Sequence, residues 1–179
     1  MSIQFDPEIH MQRRNSEAGA MQSILQRLSD SMQRDQLVQK TTDTIRSSLQ
    51  VDRVAIYYFY NQWEGQVTFE SLSDNDFSIY GSTGPDQCFN DEYADLYLDG
   101  RIRAIEDVET ASIEPCHRDF LRHLRVRANL VVPVLTDKGL WGLLVAHNCR
   151  SPKAWSEADI EQMRAGAVTL SSASSIRGD

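Results

Sequence analysis

The chain has 179 residues, 18 of them Lys or Arg against 26 Asp or Glu, and its net charge of -8 excludes a surface built to hold nucleic acid, which needs an excess of cations. No apolar run reaches the roughly 20 residues of a membrane span and the polar start from Met1 to Asp6 is not a signal peptide, so a soluble, cytoplasmic protein is expected. With 41% hydrophobic residues and no Pro/Gly/Ser-rich linker the chain suits one core and one domain, and three cysteines without a CxxC pair suggest neither a disulfide framework nor a zinc cluster.

Met1 to Arg14 is polar and aperiodic and predicts a flexible lead-in to a core over about residues 35–175. Ile24, Leu25, Leu28 and Met32 then fall at helical spacing, and Leu37, Val38, Ile45 and Leu49 repeat it after Asp35, so two amphipathic helices are expected, the second ending near Gln50. From Arg53 the period changes. Val54 to Tyr60 is apolar on both alternating faces, as in a strand covered on each side. Asn61 to Gly65 makes a turn, and Gln66 to Leu72 alternates as a second strand, with Val67 and Phe69 expected on one face and Thr68 and Glu70 on the other.

Regularity falls away between Ser73 and Pro115, a stretch holding Gly81, Gly84, Pro85 and Gly100. Its many aromatic and aliphatic residues argue for an ordered cover, within which Asp91 to Leu98 suits a short helix and Ala104 to Val108 a short strand. Ala128 to Leu135 and Leu140 to His147, joined by Thr136 to Gly139, read as a hairpin, with Pro133 at a bulge or with its missing donor facing outward. Ser156-Glu-Ala-Asp159 is a capping-box start for a helix carried toward Ser175 by Ile160, Met163, Ala167, Leu170 and Ala173. The order of elements describes an α+β domain: a central antiparallel sheet, terminal helices on one face and an irregular pocket on the other.

Within this frame the stretch Ser112-Ile-Glu-Pro-Cys-His-Arg-Asp-Phe-Leu-Arg-His123 concentrates the chemistry. Pro115 favours a helix start, and there the backbone amides and the imidazole of His117 both favour the thiolate of Cys116, the reactive form of sulfur. A second cysteine, Cys88, stands upstream in the polar loop Asp86-Gln87-Cys88-Phe89.

Taken together, the order of elements, Leu140-Trp141-Gly142-Leu143-Leu144 with His147, and Pro115-Cys116-His117 resemble the GAF domains of bilin-binding photoreceptors, the cyanobacteriochromes in particular. The resemblance covers Asp35 to Ser175. Asp86-Gln87-Cys88-Phe89 is similar to the Asp-Xaa-Cys-Phe signature of the two-cysteine subgroup, with Cys88 lying 28 positions before Cys116.

That resemblance implies a GAF fold and a covalently bound linear tetrapyrrole, phycocyanobilin or phycoviolobilin, beneath the cover of Ser73 to Pro115. It implies a permanent thioether at Cys116 and a second, breakable one at Cys88, which shortens the conjugated path and gives a blue-absorbing state. Light-driven 15Z/15E isomerisation then releases Cys88 and moves absorption to green, teal or orange. Asp86 is implied as counter-ion to the pyrrole N–H groups, against a plain reading as a solvated loop carboxylate. Arg101 best matches the cation that holds a bilin propionate, with Arg103 either a second such cation or a surface charge. His117 has two implied jobs, activating Cys116 and packing on the inner rings; His147 is either a satisfied core histidine or a neighbour of the chromophore. Phe89, Tyr93 and Tyr97 pack on the bilin or serve as plain core, Trp141 and Trp155 are assigned to packing, and Cys149 to an inert thiol. Arg118, Arg122, Arg125 and Arg127 read as a solvated helix face.

On this reading the chain is not an enzyme beyond attaching, and in some relatives isomerising, its own pigment. Neighbouring signalling domains of a longer protein and a homodimer through the terminal helices are the expected partners. A GAF domain for a small diffusible ligand of cyclic-nucleotide type is the alternative, with both cysteines then incidental. A thiol enzyme using Cys116 and His117 lacks an oxyanion site, since adjacent helix residues do not converge on one substrate atom.

Overall fold

The computed structural model describes residues 7–84 and 91–178, apart from the side chains of residues 7, 9, 10 and 91–93. Five antiparallel strands, β1 (Arg53–Asn61), β2 (Glu64–Leu72), β3 (Arg103–Ile105), β4 (Ala128–Thr136) and β5 (Gly139–Asn148), pair in the order β2-β1-β5-β4-β3. Helices α1 (Pro7–Arg34), α2 (Gln36–Leu49), α5 (Glu157–Ser171) and α6 (Ser174–Arg177) gather at one face; α3 (Asp91–Leu98) and α4 (Pro115–His123) belong to the connection between β2 and β4. This is the α+β arrangement expected, with the two central strands covered on both sides.

Alternation along β1 divides the interior into two cores. Val54 and Ile56 join Met32, Val38, Ile45, Leu49, Leu144 and Met163 on the helix side, whereas Ala55 joins Val67, Val131, Val145, Leu121 and Leu124 on the other. Asp35 starts α2 by accepting the Leu37 amide at 3.1 Å, and its other oxygen accepts the Ser175 hydroxyl at 2.7 Å, tying the first helix pair to α6. The capping box of Ser156 and Asp159 forms as expected, at 3.0 and 3.1 Å.

Several expectations are corrected. Residues Pro7 to Arg14 are the first turns of a 28-residue helix and no lead-in. Good helix formers such as Glu, Gln, Arg, Met and Ala sustain it, and its side chains become buried only from Leu25, through Ser29 and Met32, where it meets the sheet. Val67 and Phe69 face opposite cores. Ile56 pairs with Phe69 but Tyr57 with Val67, so Thr68 is an extra residue in β2; the bulge turns both Thr68 and Phe69 toward the helices, where the Thr68 hydroxyl meets the Met32 sulfur at 3.4 Å. β3 covers Arg103–Ile105 only, shorter than Ala104 to Val108. Helix α5, expected to run toward Ser175, stops at Ser171, where the Ser171 and Ser172 hydroxyls bond back to the Val168 and Thr169 carbonyls at 2.6 and 2.7 Å and compete with the backbone for the final turn, and α6 follows from Ser174. At Pro133 the β4 edge is open, since β3 reaches no further than Val131.

Among the described residues no helix is long and apolar enough to cross a membrane, and no three His, Cys, Asp or Glu side chains gather as metal ligands.

Strands β1 and β5 approach closely where Gly142 pairs with Tyr58. A Cβ at Gly142 would overlap the Tyr57 carbonyl oxygen and lie 3.2 Å from its carbon, both backbone atoms that cannot yield without parting the strands. Gly142→Ala is therefore expected to lower stability by about 2–3 kcal/mol, the scale of overpacking in a tight core, measured as a shift in the urea midpoint with unchanged slope.

Candidate functional site

The face of the sheet away from α1, α2 and α5 is the floor of an open cavity, whose empty space counted out to and including its mouth is about 770 Å³. Alternation brings Leu143, Val145 and His147 of β5, and Asn129 and Val131 of β4, to this face. Tyr57, Phe59 and Trp63 close one side, with Phe59 edge-on to both aromatic neighbours at 5.3 and 5.5 Å. Ile79, Ser82 and Thr83 line the rim, held because the chain at Gly81 to Thr83 pairs with Gln66 and Val67 along the β2 edge.

Helix α4 supplies the remaining wall. Pro115 is at its first turn, Glu114 at its start gives no side-chain cap, and Leu121 and Leu124 point inward with His117 and Phe120. Cys116 stands exposed at the helix start, one residue before His117 in the wall. Of the arginines around α4, expected as a solvated face, Arg122 and Arg125 are exposed and Arg118 and Arg127 half-buried, and all four also make hydrogen bonds to neighbouring segments. Arg122 grips Glu109 through two bonds of 2.9 and 2.6 Å, Arg127 grips Asp107 at 2.8 and 3.1 Å, Arg118 donates to the Val108 carbonyl at 3.0 Å and to that of Ala111, and Arg125 donates to the Asp76 carbonyl. They pin the helix to the segment before it, which sets where Cys116 and His117 stand.

At the start of α4, His117 is half-buried, and its pKa is pushed down to about 4 by burial first, then by the guanidinium charges of Arg103 and Arg101. Arg101 also lies over the Tyr97 ring at 6.0 Å. Tyr97 and His117 thus line the cavity, with Arg101 over the Tyr97 ring and Arg101 and Arg103 close enough for their charges to act on His117. The depressed value makes His117 a weak base, so packing on a bound ring system suits its electrostatics better than drawing the proton from Cys116.

His147 lies elsewhere. The Arg53 side chain reaches the C-terminal end of α4, where Nη2 donates to the Leu124 carbonyl at 2.8 Å, and that carbonyl is about 10 Å along the helix from His117 at 1.5 Å per residue. Arg53 Nε donates to His147 Nδ1 at 3.0 Å, and Arg53 Nη1 donates to the Phe77 carbonyl. His147 is both a satisfied core histidine and part of the cavity wall, so the two readings of it are compatible. Burial, then the Arg53 charge, holds its pKa well below the ordinary imidazole value.

Of the remaining expected site residues, Asp86, Cys88 and Phe89 lie outside the described residues, as does the Tyr93 side chain on α3. Cys149 is half-buried, its thiol pKa pushed up by burial, consistent with an unreactive sulfur. Sequence reasoning missed Arg53, Asn129, Tyr57 and Phe59. The available signals were a cation opening the otherwise apolar run Val54-Ala55-Ile56 and an amide inside Ala128-Asn129-Leu130-Val131-Val132; a polar residue in a strand covered on both faces needs a buried partner.

The His117 environment has a measurable consequence. Unfolded, His117 takes a proton near 6.5, but folded only near 4, so between those values the unfolded chain binds more protons and this contribution to stability is lost as pH falls. Arg103→Ala is expected to raise the His117 midpoint toward 6.5 in an NMR titration of its ring protons, and to lessen the fall in melting temperature across that window.

The GAF domain family model matches residues 33–173. An uncharacterised protein of Picosynechococcus sp. is 50% identical over 151 residues, 84% of this chain and 93% of that one. A putative methyl-accepting chemotaxis protein of Synechocystis sp. is 35% identical over 84% of this chain, which spans only 15% of the relative's length. Among solved structures, a cyanobacteriochrome PixJ GAF domain is 36% identical with a TM-score of 0.62, covering 74% of this chain and 82% of that one. The blue-light absorbing form of the Thermosynechococcus elongatus PixJ GAF domain gives 35% and 0.65, over 74% and 84%. The phycocyanobilin-bound GAF domain of a cyanobacterial phytochrome gives 29% and 0.68, over 84% and 91%. A sheet with helices on one face and a walled cavity on the other, together with the family match over residues 33–173, places this chain in the GAF domain family, with cyanobacteriochrome GAF domains among its relatives.

Proposed function

We propose that the chain is a light-sensing module that carries a linear tetrapyrrole, phycocyanobilin or phycoviolobilin, in the cavity between the sheet and α4. The observation that carries this reading is His117 in the wall of an apolar cavity, with Cys116 one residue before it on α4 and the charges of Arg103 and Arg101 acting on His117. The family relatives support it, since one is a phycocyanobilin-bound GAF domain and another is the blue-light absorbing form of a PixJ GAF domain. The residues present fit such a group. Flat apolar walls suit conjugated rings, two guanidiniums suit two propionates, and the buried Asn129 Oδ1, which has no hydrogen-bond partner among the described residues, suits a polar edge.

When bound, the bilin supplies the chemistry of light absorption and isomerisation about the double bond before its last ring. The chain's residues do the holding. Cys116, disulfide-bonded in this structure, would hold the pigment once a thiol reductant had returned it to the thiol: its sulfur would join the ethylidene side chain of the first ring as a thioether, with the thiol proton passing to the pigment and no leaving group. Cys88 contributes the second thioether, made in the blue-absorbing state and broken in the other, and Asp86 accepts from the pyrrole N–H groups. Arg101 and Arg103 pair with the propionates, which relieves the repulsion that keeps His117 neutral, and His117, Tyr97, Tyr93 and Phe89 pack on the rings. The module turns over no substrate, and signalling domains in a longer protein read its two states, as the chemotaxis relative suggests.

Protein made in phycocyanobilin-producing cells tests this. The parent chain is expected to give a zinc-fluorescent denatured band and to change colour under blue light. Cys116→Ala loses the band, while Cys88→Ala stays pigmented but lacks the blue-absorbing state. A colourless parent protein would favour a small diffusible ligand instead.

A further inference from the structure

Only two residues, Gln62 and Trp63, turn the chain from β1 into β2, and Asn61 pairs with Glu64 across them. Trp63 has a φ of 33°, whereas Gln62 keeps a negative one. A turn with positive φ at its second central residue suits glycine or asparagine, because a β-carbon there crowds the neighbouring carbonyl. For a residue with a side chain the left-handed region costs roughly 5- to 30-fold in the folding equilibrium. Among the described residues two other non-glycine positions share this conformation, and both finish helices. Gln50 closes α2 with its N–H on the Arg46 carbonyl, and Arg125 follows α4 with its N–H on the Arg122 carbonyl at 2.9 Å. The hairpin likewise explains the positive φ at position 63. It does not explain an indole there.

The surroundings of the side chain do. Trp63 lines the cavity beside Phe59 and Tyr57. Phe59 stands edge-on to both, with ring centroids 5.5 and 5.3 Å away, so the three rings make one aromatic wall that continues past the end of β1. Gly65 and Gly84 leave the space that the Tyr57 side chain fills, since a Cβ at either would overlap it. The other two tryptophans are placed differently. Trp155 is buried and donates from Nε1 to the Ile105 carbonyl at 3.0 Å, and Trp141 lies against Tyr58 and the helix-side core. Trp63 is the one tryptophan in the cavity wall, and it is only half-buried. Backbone strain of this kind persists where the surroundings hold it, and it gathers at ligand clamps.

We propose that Trp63 is a ligand-contact residue: its indole lies against the conjugated rings of the bound tetrapyrrole, and the strained turn is kept because it puts the indole there. An indole offers a broad, flat, uncharged face, which suits a planar conjugated system. The inference rests on the reading that a bilin occupies the cavity, and adds to it a contact from the β1–β2 turn. Strain at Trp63 is present with or without pigment, but stacking only with it. The stabilisation that pigment confers, rather than the fold itself, therefore depends on the indole.

Unfolding curves in urea test this, all recorded with a thiol reductant because Cys116 is disulfide-bonded. In the pigment-free chain Trp63→Gly is expected to be more stable than Trp63→Ala, by about 3-fold in the equilibrium constant after the looser unfolded state of glycine is counted. A Trp63→Gly chain that does not fold, or is no more stable than Trp63→Ala, overturns the proposal.

In pigmented protein, the gain in stability over the pigment-free chain is expected to shrink about 3- to 10-fold in Trp63→Gly, with the pigment's absorption band shifted and broadened. Trp63→Phe, which keeps a flat ring, restores both in part. A role in the fold alone would lower pigmented and pigment-free protein together and leave their difference unchanged. That result, with an unshifted band, overturns this inference and leaves the bilin reading standing. A parent protein that takes up no bilin overturns both.

Discussion

One buried cation joins the parts of this molecule that matter to its site. Arg53 leaves the first strand with its guanidinium sealed from solvent, donating to His147 on the neighbouring strand, to the Leu124 carbonyl at the end of α4 and to the Phe77 carbonyl beyond β2. Burial lowers its pKa, yet a guanidinium keeps its charge, so the chain must supply polar partners. Those partners are two main-chain oxygens and an imidazole nitrogen, each from a different segment. The sheet, the cavity wall and the returning loop are held in one relative position because a single charge cannot be left unsatisfied.

Stability and binding are assigned to opposite faces of the sheet. The helix side is aliphatic, with Met32, Leu49, Leu130, Leu144, Met163 and Leu170 almost wholly removed from water. The cavity side spends its apolar residues on walls rather than on filling, and there the polar groups Asn129, His117 and His147 appear. The bulge at Thr68 belongs to this division, since it turns an additional side chain toward α1 and lets Val67 continue the cavity side of β2. The Cys116 segment, in turn, depends on ion pairs: Arg122 with Glu109 and Arg127 with Asp107 fasten a short helix that has no side-chain cap of its own.

Electrostatics distinguishes the two histidines that the site contains. His117 is kept neutral by burial and by two nearby guanidiniums, charges that incoming carboxylates can offset, so its state is open to the ligand. His147 is kept neutral by burial and by a direct hydrogen bond from a fixed arginine, a constraint internal to the fold. Two rings of the same chemistry thereby face one cavity, one responsive and one set.

Periodicity in the sequence was enough to determine the two amphipathic helices, the first two strands, the hairpin and the short helix Asp91–Leu98, because burial of one or both faces imposes periods of 3.6 and 2 on apolar residues. Local chemistry likewise determined the helix starts at Pro115 and Ser156, and residue order alone carried the likeness to bilin-binding GAF domains. Tertiary structure decided the rest. The helical state of Pro7 to Arg14 leaves no apolar period to read, because Glu8 and Met11 to Arg14 lie exposed, and the Thr68 bulge breaks alternation through strand pairing that no single strand records. The row of Arg53, His147 and Asn129 joins residues from three strands distant along the chain, and the arginines around α4 found partners in a separate segment. Charges and amides look like surface residues in a sequence; only the folded chain shows which of them have been taken out of water, and a polar group out of water is held by whatever partner the fold brings within 3 Å or so.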